Sequence, residues 1–354
     1  MNQSSTVLVN TTTIESATGL RSINLYHGDL CSAQDELIAI SSHAGAGSSL
    51  TGMVVKSFAA RFDINFSSFY PLLVLPGHPT VGTFQVPVEP TAENYPGKAL
   101  FVVRIPGPAA IRDFSTEPLD VYDDVVWTLF GSLAALEQKD VVFSSLALPL
   151  LAGRRGYPGQ KIMEILLKRA TTWLKTSRNM KDVNFYLYEE SSLGNWNEAM
   201  NQALGRKAID SAKGSVVQAL REEILVLLKG CSKFNQGEMA AHIAPLLTAL
   251  QDKKIYLQLV STLGRKLVET MVRELISERS LEDKGLLVHN ITMLNYEQVV
   301  APWIASHFHA LRVFGNEAVH AKNEVKYKPK ELREEDLVAV LTSLRSVVQF
   351  YAEW

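Results

Sequence analysis

Three short segments in the first half of the sequence combine glycine with residue types that can bind a phosphorylated ligand. They span residues 27–30, 41–50 and 148–158, and each follows a β-rich run. Glycine lets the backbone turn and approach a ligand closely. A helix after such a loop offers unpaired N–H groups and the positive end of its dipole to an anion. Two such loops on neighbouring parallel strands would form a crevice suited to a diphosphate. Asp29 could accept a hydrogen bond from an adenine amino group or a ribose hydroxyl.

A second group of reactive side chains lies on one predicted helical stretch near the end of the sequence. It comprises His307, His309, Arg312, Asn316 and His320. Arg312, Asn316 and His320 are spaced four apart, so they share one face of a continuous helix. Arginine can hold a phosphate and histidine can transfer a proton, so this stripe could bind or cut a phosphodiester. It could instead be a buried polar network that joins helices. The histidines have no evident carboxylate or cysteine partners, so no metal site is expected.

The elements that would position the first group alternate between strand and helix. The β-rich runs cover residues 22–27, 36–42, 98–105, 140–148 and 183–188, and the helical segments cover residues 50–62, 120–137, 159–175 and 193–204. This alternation predicts a parallel sheet with helices on both faces, a three-layer α/β/α arrangement. Residues 66–96 are rich in proline and glycine, so we expect a long loop or hairpin region there.

Beyond residue 205 the strand pattern disappears and helical spacing prevails. Helices are predicted at residues 209–229, 237–251, 255–278, 297–314 and 334–354. The fold class predicted for the whole chain is therefore α/β plus all-α. We expect a flexible arm over residues 1–20, an α/β domain over 21–205 and a helical bundle domain over 206–354.

Composition and charge exclude several classes of protein. The 354 residues carry a formal net charge of −2, which gives no global attraction to nucleic acid or to anionic membranes. No apolar run approaches the ~18 residues of a membrane span, and the polar N-terminus is unlike a signal peptide. Cys31 and Cys231 match no metal-binding spacing, so reduced thiols are expected. A cytoplasmic protein without membrane contact is predicted.

The order of the three glycine segments resembles the macrodomain family over about residues 20–205. The matching pieces are Gly28-Asp29-Leu30, the loop from Ser42 to Ser49, and the strand and loop that end in Gly156-Tyr157-Pro158. The resemblance implies an ADP-ribose or NAD-derived nucleotide as ligand, with no cofactor required. The aspartate would contact adenine, and the two loops would wrap the diphosphate and the distal ribose. The implied ligand-binding residues are Asp29, Leu30, Ser42, His43, Gly45, Gly47, Gly153, Arg154, Arg155, Gly156 and Tyr157.

One departure from the macrodomain pattern bears on catalysis. The family's Asn-Ala-Ala-Asn segment is replaced by Ile40-Ser41-Ser42-His43, so the asparagine that handles the distal ribose in hydrolytic members is missing. His43 is the nearest replacement, and a histidine can act as a general base at neutral pH. Nucleotide binding is therefore the main expectation, and ADP-ribosyl hydrolysis through His43 is an alternative.

Residues 255–354 resemble a bacterial C-terminal domain of unknown function that is allied to the HEPN helical superfamily. The resemblance rests on Leu311-Arg312, then Gly315-Asn316, then His320. Many HEPN members are metal-independent ribonucleases with an arginine four to six residues before the histidine. Here seven residues separate Arg312 from His320, so the nuclease motif is degenerate. The resemblance favours a dimerisation or partner-docking module, with a ribonuclease using Arg312, Asn316 and His320 as the alternative.

These two resemblances together predict a regulatory protein. A nucleotide sensor would be joined to a helical effector or dimerisation domain that forms a homodimer, by analogy with bacterial antiphage systems. RNA is an alternative partner that is not favoured, because the Lys/Glu-rich residues 322–335 mix both signs of charge.

Overall fold

The computed structural model divides the chain into two compact units. The first contains Thr6 and Ile14–Leu204, and the second contains Val7–Thr13 and Gly205–Trp354. The structure describes residues 6–43, 50, 52–89, 92, 94–107, 117–151, 157–206, 208–210, 215–252, 254–320 and 333–354, without the side chains of residues 209, 210, 215, 319, 320 and 334.

Eight strands of the described chain form one mixed sheet in the order β1-β2-β8-β7-β3-β6-β5-β4. The strands are β1 Val7–Ser16, β2 Gly19–His27, β3 Leu37–His43, β4 Tyr70–Leu75, β5 His78–Val86, β6 Ala99–Ile105, β7 Ser145–Pro149 and β8 Asp182–Leu187. Pairing is parallel from β2 through β8, β7 and β3 to β6, and antiparallel from β6 through β5 to β4. The central strands are buried on both sides, which explains why their sequences lack clean alternation.

Helices cover both faces of this sheet. They are α1 Met53–Phe62, α2 Pro118–Glu137, α3 Gly159–Thr176 and α4 Leu193–Ala203. α1 buries Val55 and Phe58 against Ile40 and Val102 on one face. α2 and α3 pack against each other on the other face, where α2 contacts β4 to β6 and α3 contacts β2, while α4 packs on α3. The predicted three-layer arrangement is thus confirmed.

Residues 66–96, expected as a loop or hairpin region, contain the antiparallel hairpin of β4 and β5, which extends the sheet at its edge. One strand of the first half differs from the sequence prediction. The strand predicted to begin at residue 140 begins at Ser145, and Asp140 instead adopts a left-handed conformation with φ of 59° in the turn after α2. Val141 and Val142, whose apolar character suggested a strand, are 44% and 42% exposed in the connection.

A ten-residue strand, β1, occupies half of the segment for which a flexible arm was predicted. Its polar residues Asn10 and Thr11 are fully buried. The guanidinium of Arg206 donates hydrogen bonds to Asn10 Oδ1 and to the Thr11 carbonyl, both at 2.6 Å. Lys266 Nζ adds a bond to Thr11 Oγ1 at 2.9 Å. These partners belong to the same compact unit as Val7–Thr13, and they satisfy polar groups that would otherwise oppose burial.

The second unit is predominantly helical, as predicted. In the described residues its helices are α5 Ser215–Gly230, α6 Gly237–Gln251, α7 Leu257–Glu278, α8 Leu287–Tyr296, α9 Pro302–His320 and α10 Glu334–Glu353. Helix α8 was not predicted from the sequence, and neither was the short antiparallel pair formed by β9 Ala208–Asp210 and β10 Lys254–Tyr256. α7 is the central helix of this unit, and it packs against α6, α8, α9 and α10.

Helices α7 and α9 approach each other closely at two glycines. A Cβ on Gly315 would lie 2.5 Å from the Arg265 Cβ and 3.1 Å from the Ser261 carbonyl oxygen. One turn away, a Cβ on Gly264 would lie 3.4 Å from Leu311. The glycine of the Gly315-Asn316 pair therefore has a packing role, since a larger residue cannot fit without moving one helix.

We predict that Gly315→Ala destabilises the second unit. The overpacking penalty of ~1–3 kcal/mol exceeds the gain of about 1 kcal/mol from replacing a helical glycine by alanine. Gly230→Ala is the matched control, because Gly230 ends α5 with nothing within 4 Å of its added Cβ. Urea unfolding followed by helical circular dichroism should show a lower midpoint for Gly315→Ala only. Equal midpoints for the two variants would contradict the close-packing argument.

Candidate functional site

The parallel strands bring the predicted site residues to one edge of the sheet. β2, β8, β7, β3 and β6 run in the same direction and end at His27, Leu187, Pro149, His43 and Ile105. β3 and β7, which precede the two longer glycine loops, are direct neighbours. The carboxyl ends of neighbouring parallel strands lie at one edge, so both loops leave the sheet there.

Part of the predicted ligand set lies outside the described residues. Residues 44–49 and 152–156 contain Gly45, Gly47, Gly153, Arg154, Arg155 and Gly156. Their roles stay predictions, and the site is built here from the residues that flank them.

Asp29 caps a short turn directly after β2. Its Oδ1 accepts a hydrogen bond from the Cys31 N–H at 2.9 Å and so begins a 3-10 turn over Leu30–Ser32. Its Oδ2 lies 3.4 Å from Arg61 Nη1, and both side chains are partly exposed. The Leu30 side chain is buried in the core beneath α1, so a ligand at this edge could meet its backbone but not its side chain.

Tyr188 is an exposed aromatic residue at the same edge, and it is not among the site residues predicted from the sequence. It is 74% exposed and directly follows β8. Leu187 pairs with His27, and its carbonyl accepts a hydrogen bond from the Gly28 N–H at 2.9 Å. Tyr188 therefore lies next to the Gly28–Asp29 segment, where its ring could stack on a base. The feature of the sequence that could have identified Tyr188 is its position as an aromatic residue at the very end of a predicted strand.

A ladder of buried polar side chains fixes the register of β2 against β8. Asn24 lies opposite Asn184 and donates to its Oδ1 at 2.8 Å, while Asn184 Nδ2 donates to Asp35 Oδ1 at 2.7 Å. Burial raises the pKa of the Asp35 carboxyl, and the hydrogen bond from Asn184 opposes that shift. A slip of one residue would separate these partners, so the register that brings Tyr188 beside Asp29 is strongly specified.

Ser42 and His43 end β3 with different environments. Ser42 is fully buried and lies opposite Arg104 of β6, whereas His43 is exposed. The Arg104 guanidinium is held between the rings of Phe69 at 5.2 Å and Phe84 at 5.3 Å. Burial lowers the pKa of this arginine. A ligand at the carboxyl edge could thus meet the His43 imidazole, while the Ser42 side chain faces the interior.

Tyr157 was predicted as a ligand contact, and its side chain is 6% exposed. Its hydroxyl donates to the carbonyl of Pro106 at 3.0 Å, and its ring lies 5.3 Å from that of Tyr122. The next residue, Pro158, caps the N-terminus of α3. The backbone of Tyr157 is therefore the part of this residue that could face a ligand.

The polar stripe of the second unit lies on one unbroken helix. Arg312, Asn316 and His320 all belong to α9, and Arg312 and Asn316, four residues apart, lie along one side of it. The Nε of Arg312 is buried and has no hydrogen-bond partner among the described residues. Burial lowers the pKa of His309, and the Arg312 charge adds to the effect. His307 Nδ1 lies 3.2 Å from Ser343 Oγ on α10.

Two negative findings apply to the described residues alone. They contain no group of three or more His, Cys, Asp or Glu side chains able to hold a metal ion. None of their helices is long and apolar enough to cross a membrane.

Comparison with known proteins gives matches to each half of the chain. A family model described as a domain of unknown function, DUF4145, matches residues 249–351. This is close to the range, 255–354, over which the sequence predicted such a domain. No curated protein matches the chain.

Several solved macrodomain structures match about half of the chain. An Oceanobacillus iheyensis macrodomain with ADP is 13% identical, with 57% of this chain and 99% of that one covered and a TM-score of 0.36. A Trypanosoma brucei macrodomain in complex with ADP-ribose is 13% identical, with 50% and 68% covered and a TM-score of 0.33. The macro domain of ganglioside induced differentiation associated protein 2 is 13% identical, with 51% and 83% covered and a TM-score of 0.37.

The structure of the turn that Asp29 caps predicts that the Cys31 thiol is unreactive. Burial raises the pKa of the Cys31 thiol to about 12, and the adjacent Asp29 carboxylate adds to the shift. Cys231 is partly exposed. At pH 8 we expect iodoacetamide to modify the native chain at Cys231 and to leave Cys31 protonated and unmodified, because the thiolate is the reactive form.

Mass spectrometry of the alkylated protein checks this expectation. Cys231→Ser should leave the folded chain without a fast-reacting thiol, and Cys31→Ser should react like the wild type. In concentrated urea both thiols of the wild type should react. Rapid modification of Cys31 in the folded protein would show that its turn is open.

Proposed function

We propose that the first unit binds an ADP-ribose-type nucleotide along the carboxyl edge of its sheet. The observation that carries the proposal is the placement of Asp29 and the exposed Tyr188 at the same edge as His43 and the start of α3. Three strand spacings, about 14 Å, separate β2 from β3. That distance suits an extended ligand with a base at one end and a sugar at the other.

The base would bind where β2 and β8 end. The Tyr188 ring offers a flat apolar surface, and stacking on an aromatic residue is worth ~1–3 kcal/mol per base. The free electron pairs of the Asp29 carboxylate could accept a hydrogen bond from an exocyclic amino group. Asp29 is already held by the Cys31 N–H, so its orientation costs little entropy on binding.

The diphosphate would lie over the end of β7, near the N-terminus of α3. The first N–H groups of a helix lack acceptors within it and favour negative charge. Gly153, Arg154, Arg155 and Gly156 would contribute the loop that the macrodomain resemblance implies. The distal ribose would then lie beyond β3, near His43, with Gly45 and Gly47 in the loop around it.

Binding without turnover is the favoured activity. Hydrolysis of an ADP-ribosyl bond is an alternative that would use His43 as the general base, since this exposed imidazole stands where hydrolytic macrodomains have asparagine. Release of ADP-ribose from a modified protein, lost in His43→Ala, would establish that alternative.

We predict that isothermal titration calorimetry detects ADP-ribose binding and that two variants weaken it. Tyr188→Ala removes the stacking surface and should lower affinity about tenfold or more. Asp29→Asn keeps an acceptor for the Cys31 N–H while removing the charge, and it should also weaken binding. Tyr70→Ala is the control, because Tyr70 is 47% exposed on β4 at the far side of the sheet.

Two results would count against this nucleotide site. Absence of both heat and thermal shift at millimolar ADP-ribose would remove the proposal. An equal loss of affinity in Tyr70→Ala and Tyr188→Ala would show that binding does not use the edge between β2 and β8.

For the helical unit we propose a dimerisation or effector role related to that of HEPN domains, within a bacterial defence protein. Exposed apolar side chains support an interface, since Tyr296 and Trp303 are 81% and 60% exposed at the end of α8 and the start of α9. The alternative is a ribonuclease in which Arg312 holds the phosphate, Asn316 orients it and His320 transfers a proton.

Light scattering should give about twice the monomer mass of 39.2 kDa if the chain forms a homodimer. A monomer at all concentrations would contradict the dimer.

RNA incubated with the wild type and with His320→Ala should remain intact in both, because the arginine–histidine spacing departs from the nuclease pattern. Cleavage by the wild type that His320→Ala abolishes would favour the ribonuclease over the docking module.

A further inference from the structure

Two buried tyrosines lie directly behind the proposed phosphate region. Tyr122 of α2 is fully buried, and its hydroxyl donates to the Leu151 carbonyl at 3.0 Å. Tyr157 is 6% exposed, and its hydroxyl donates to the Pro106 carbonyl, also at 3.0 Å. The two rings pack at a centroid distance of 5.3 Å and an angle of 41°. We call these two packed side chains the tyrosine pair.

Each hydroxyl binds the backbone close to the end of a strand. Leu151 lies two residues beyond the end of β7, and Pro106 directly follows β6. Tyr157 stands just before Pro158, the cap of α3. The tyrosine pair therefore ties the end of β7 to α2, and the start of α3 to the end of β6.

The N-terminus of α3, in the first compact unit, is suited to bind a phosphate. Its first helical bond runs from the Ile162 N–H to the Pro158 carbonyl. The N–H groups of residues 159–161 therefore have no acceptor inside the helix, and N–H groups in this position favour an anion. Their direction depends on where α3 begins, and the Tyr157 hydroxyl holds that point against β6.

Both hydroxyls are removable without leaving a cavity. Burial raises the pKa of Tyr122 well above its usual value, which favours the neutral phenol that donates this hydrogen bond. Tyr→Phe deletes one oxygen atom and leaves the ring stack in place. The carbonyl that loses its donor is then free to move, which loosens the attached chain end.

We infer that Tyr122 and Tyr157 are positioning residues for phosphate recognition. Their side chains would not contact the ligand; they would set the place and direction of the N–H groups that receive the diphosphate. Binding sites lose affinity when their supporting contacts let a donor move by about 1 Å. The inference rests on the proposed nucleotide site, and it adds residues that the glycine-loop pattern does not contain.

The test compares Tyr122→Phe, Tyr157→Phe and their double variant with Tyr95→Phe. Tyr95 is the matched control, since its mostly buried hydroxyl donates to the Ala99 carbonyl at 2.7 Å. Ala99 begins β6, so this bond lies at the opposite edge of the sheet from the tyrosine pair. All three single variants remove one tyrosine-to-carbonyl bond from the same unit and should lower the melting temperature by similar amounts.

Affinity is measured for ADP-ribose and for adenosine, which lacks phosphate. Each variant of the tyrosine pair should weaken ADP-ribose binding by about three- to tenfold, in line with one hydrogen bond. Adenosine binding should stay unchanged, because Tyr188 and Asp29 are not altered. Tyr95→Phe should bind both ligands like the wild type. A purely structural role would not separate the two ligands in this way.

Hydrogen exchange supplies a readout that needs no ligand. Peptides covering residues 150–162 should exchange faster in Tyr157→Phe than in Tyr95→Phe or the wild type. Equal exchange in these proteins would overturn the inference even if ADP-ribose failed to bind.

The remaining outcomes are also decisive. A wild type that binds ADP-ribose, with tyrosine-pair variants that bind it equally well, overturns the positioning role and leaves the proposed function standing. Equal losses for ADP-ribose and adenosine also overturn it, because they indicate a general loosening of the fold. A wild type that binds neither ligand removes the proposed function itself.

Discussion

Parallel pairing of five adjacent strands is the constraint on which the rest of the first unit depends. Parallel strands need crossover connections, so every loop that follows β2, β8, β7, β3 and β6 begins at the same edge. Residues far apart in sequence, such as Asp29 and Tyr188, meet there because their strands are paired. The buried Asn24–Asn184–Asp35 ladder makes that pairing specific, since apolar side chains alone would tolerate a shifted register more readily.

The sequence was informative where local pattern and burial agree. The central strands are mainly apolar and lack clean alternation because helices cover both of their faces, so the placement of these strands was predictable. β1 was missed because its composition is polar: Asn10 and Thr11 are buried with partners that are distant in sequence, among them Arg206, 195 or more positions away. β4 and β5 lie in the region predicted as a loop or hairpin, but their place at the edge of the sheet was not predicted. At that edge Gly82, with φ of 150°, lets the neighbouring backbone approach closely.

In the candidate site, too, residues in short motifs could be predicted from the sequence, whereas residues placed by tertiary contacts could not. Asp29 was identifiable because it stands in a short motif next to a predicted strand. Tyr188 ended a predicted strand, and only the pairing of Leu187 with His27 gives it a place beside Asp29. Tyr157 was assigned to the ligand because it belongs to a glycine motif, yet its hydroxyl is bonded to Pro106, 51 positions away. Such bonds depend on tertiary structure, and no spacing rule in the sequence encodes them.

The buried Arg206 bears on how this protein can be dissected. Val7–Thr13 belongs to the second unit although 191 residues of the first unit, Ile14–Leu204, follow it in the chain. A fragment that starts at Gly205 would keep this guanidinium, whose pKa burial lowers to about 9, while losing the Asn10 and Thr11 acceptors. Truncation at the apparent boundary would thus remove two acceptors of a cation that is buried in the intact chain, and the loss of such partners is destabilising. The two units are interleaved along the polypeptide, and a linear cut cannot separate them cleanly.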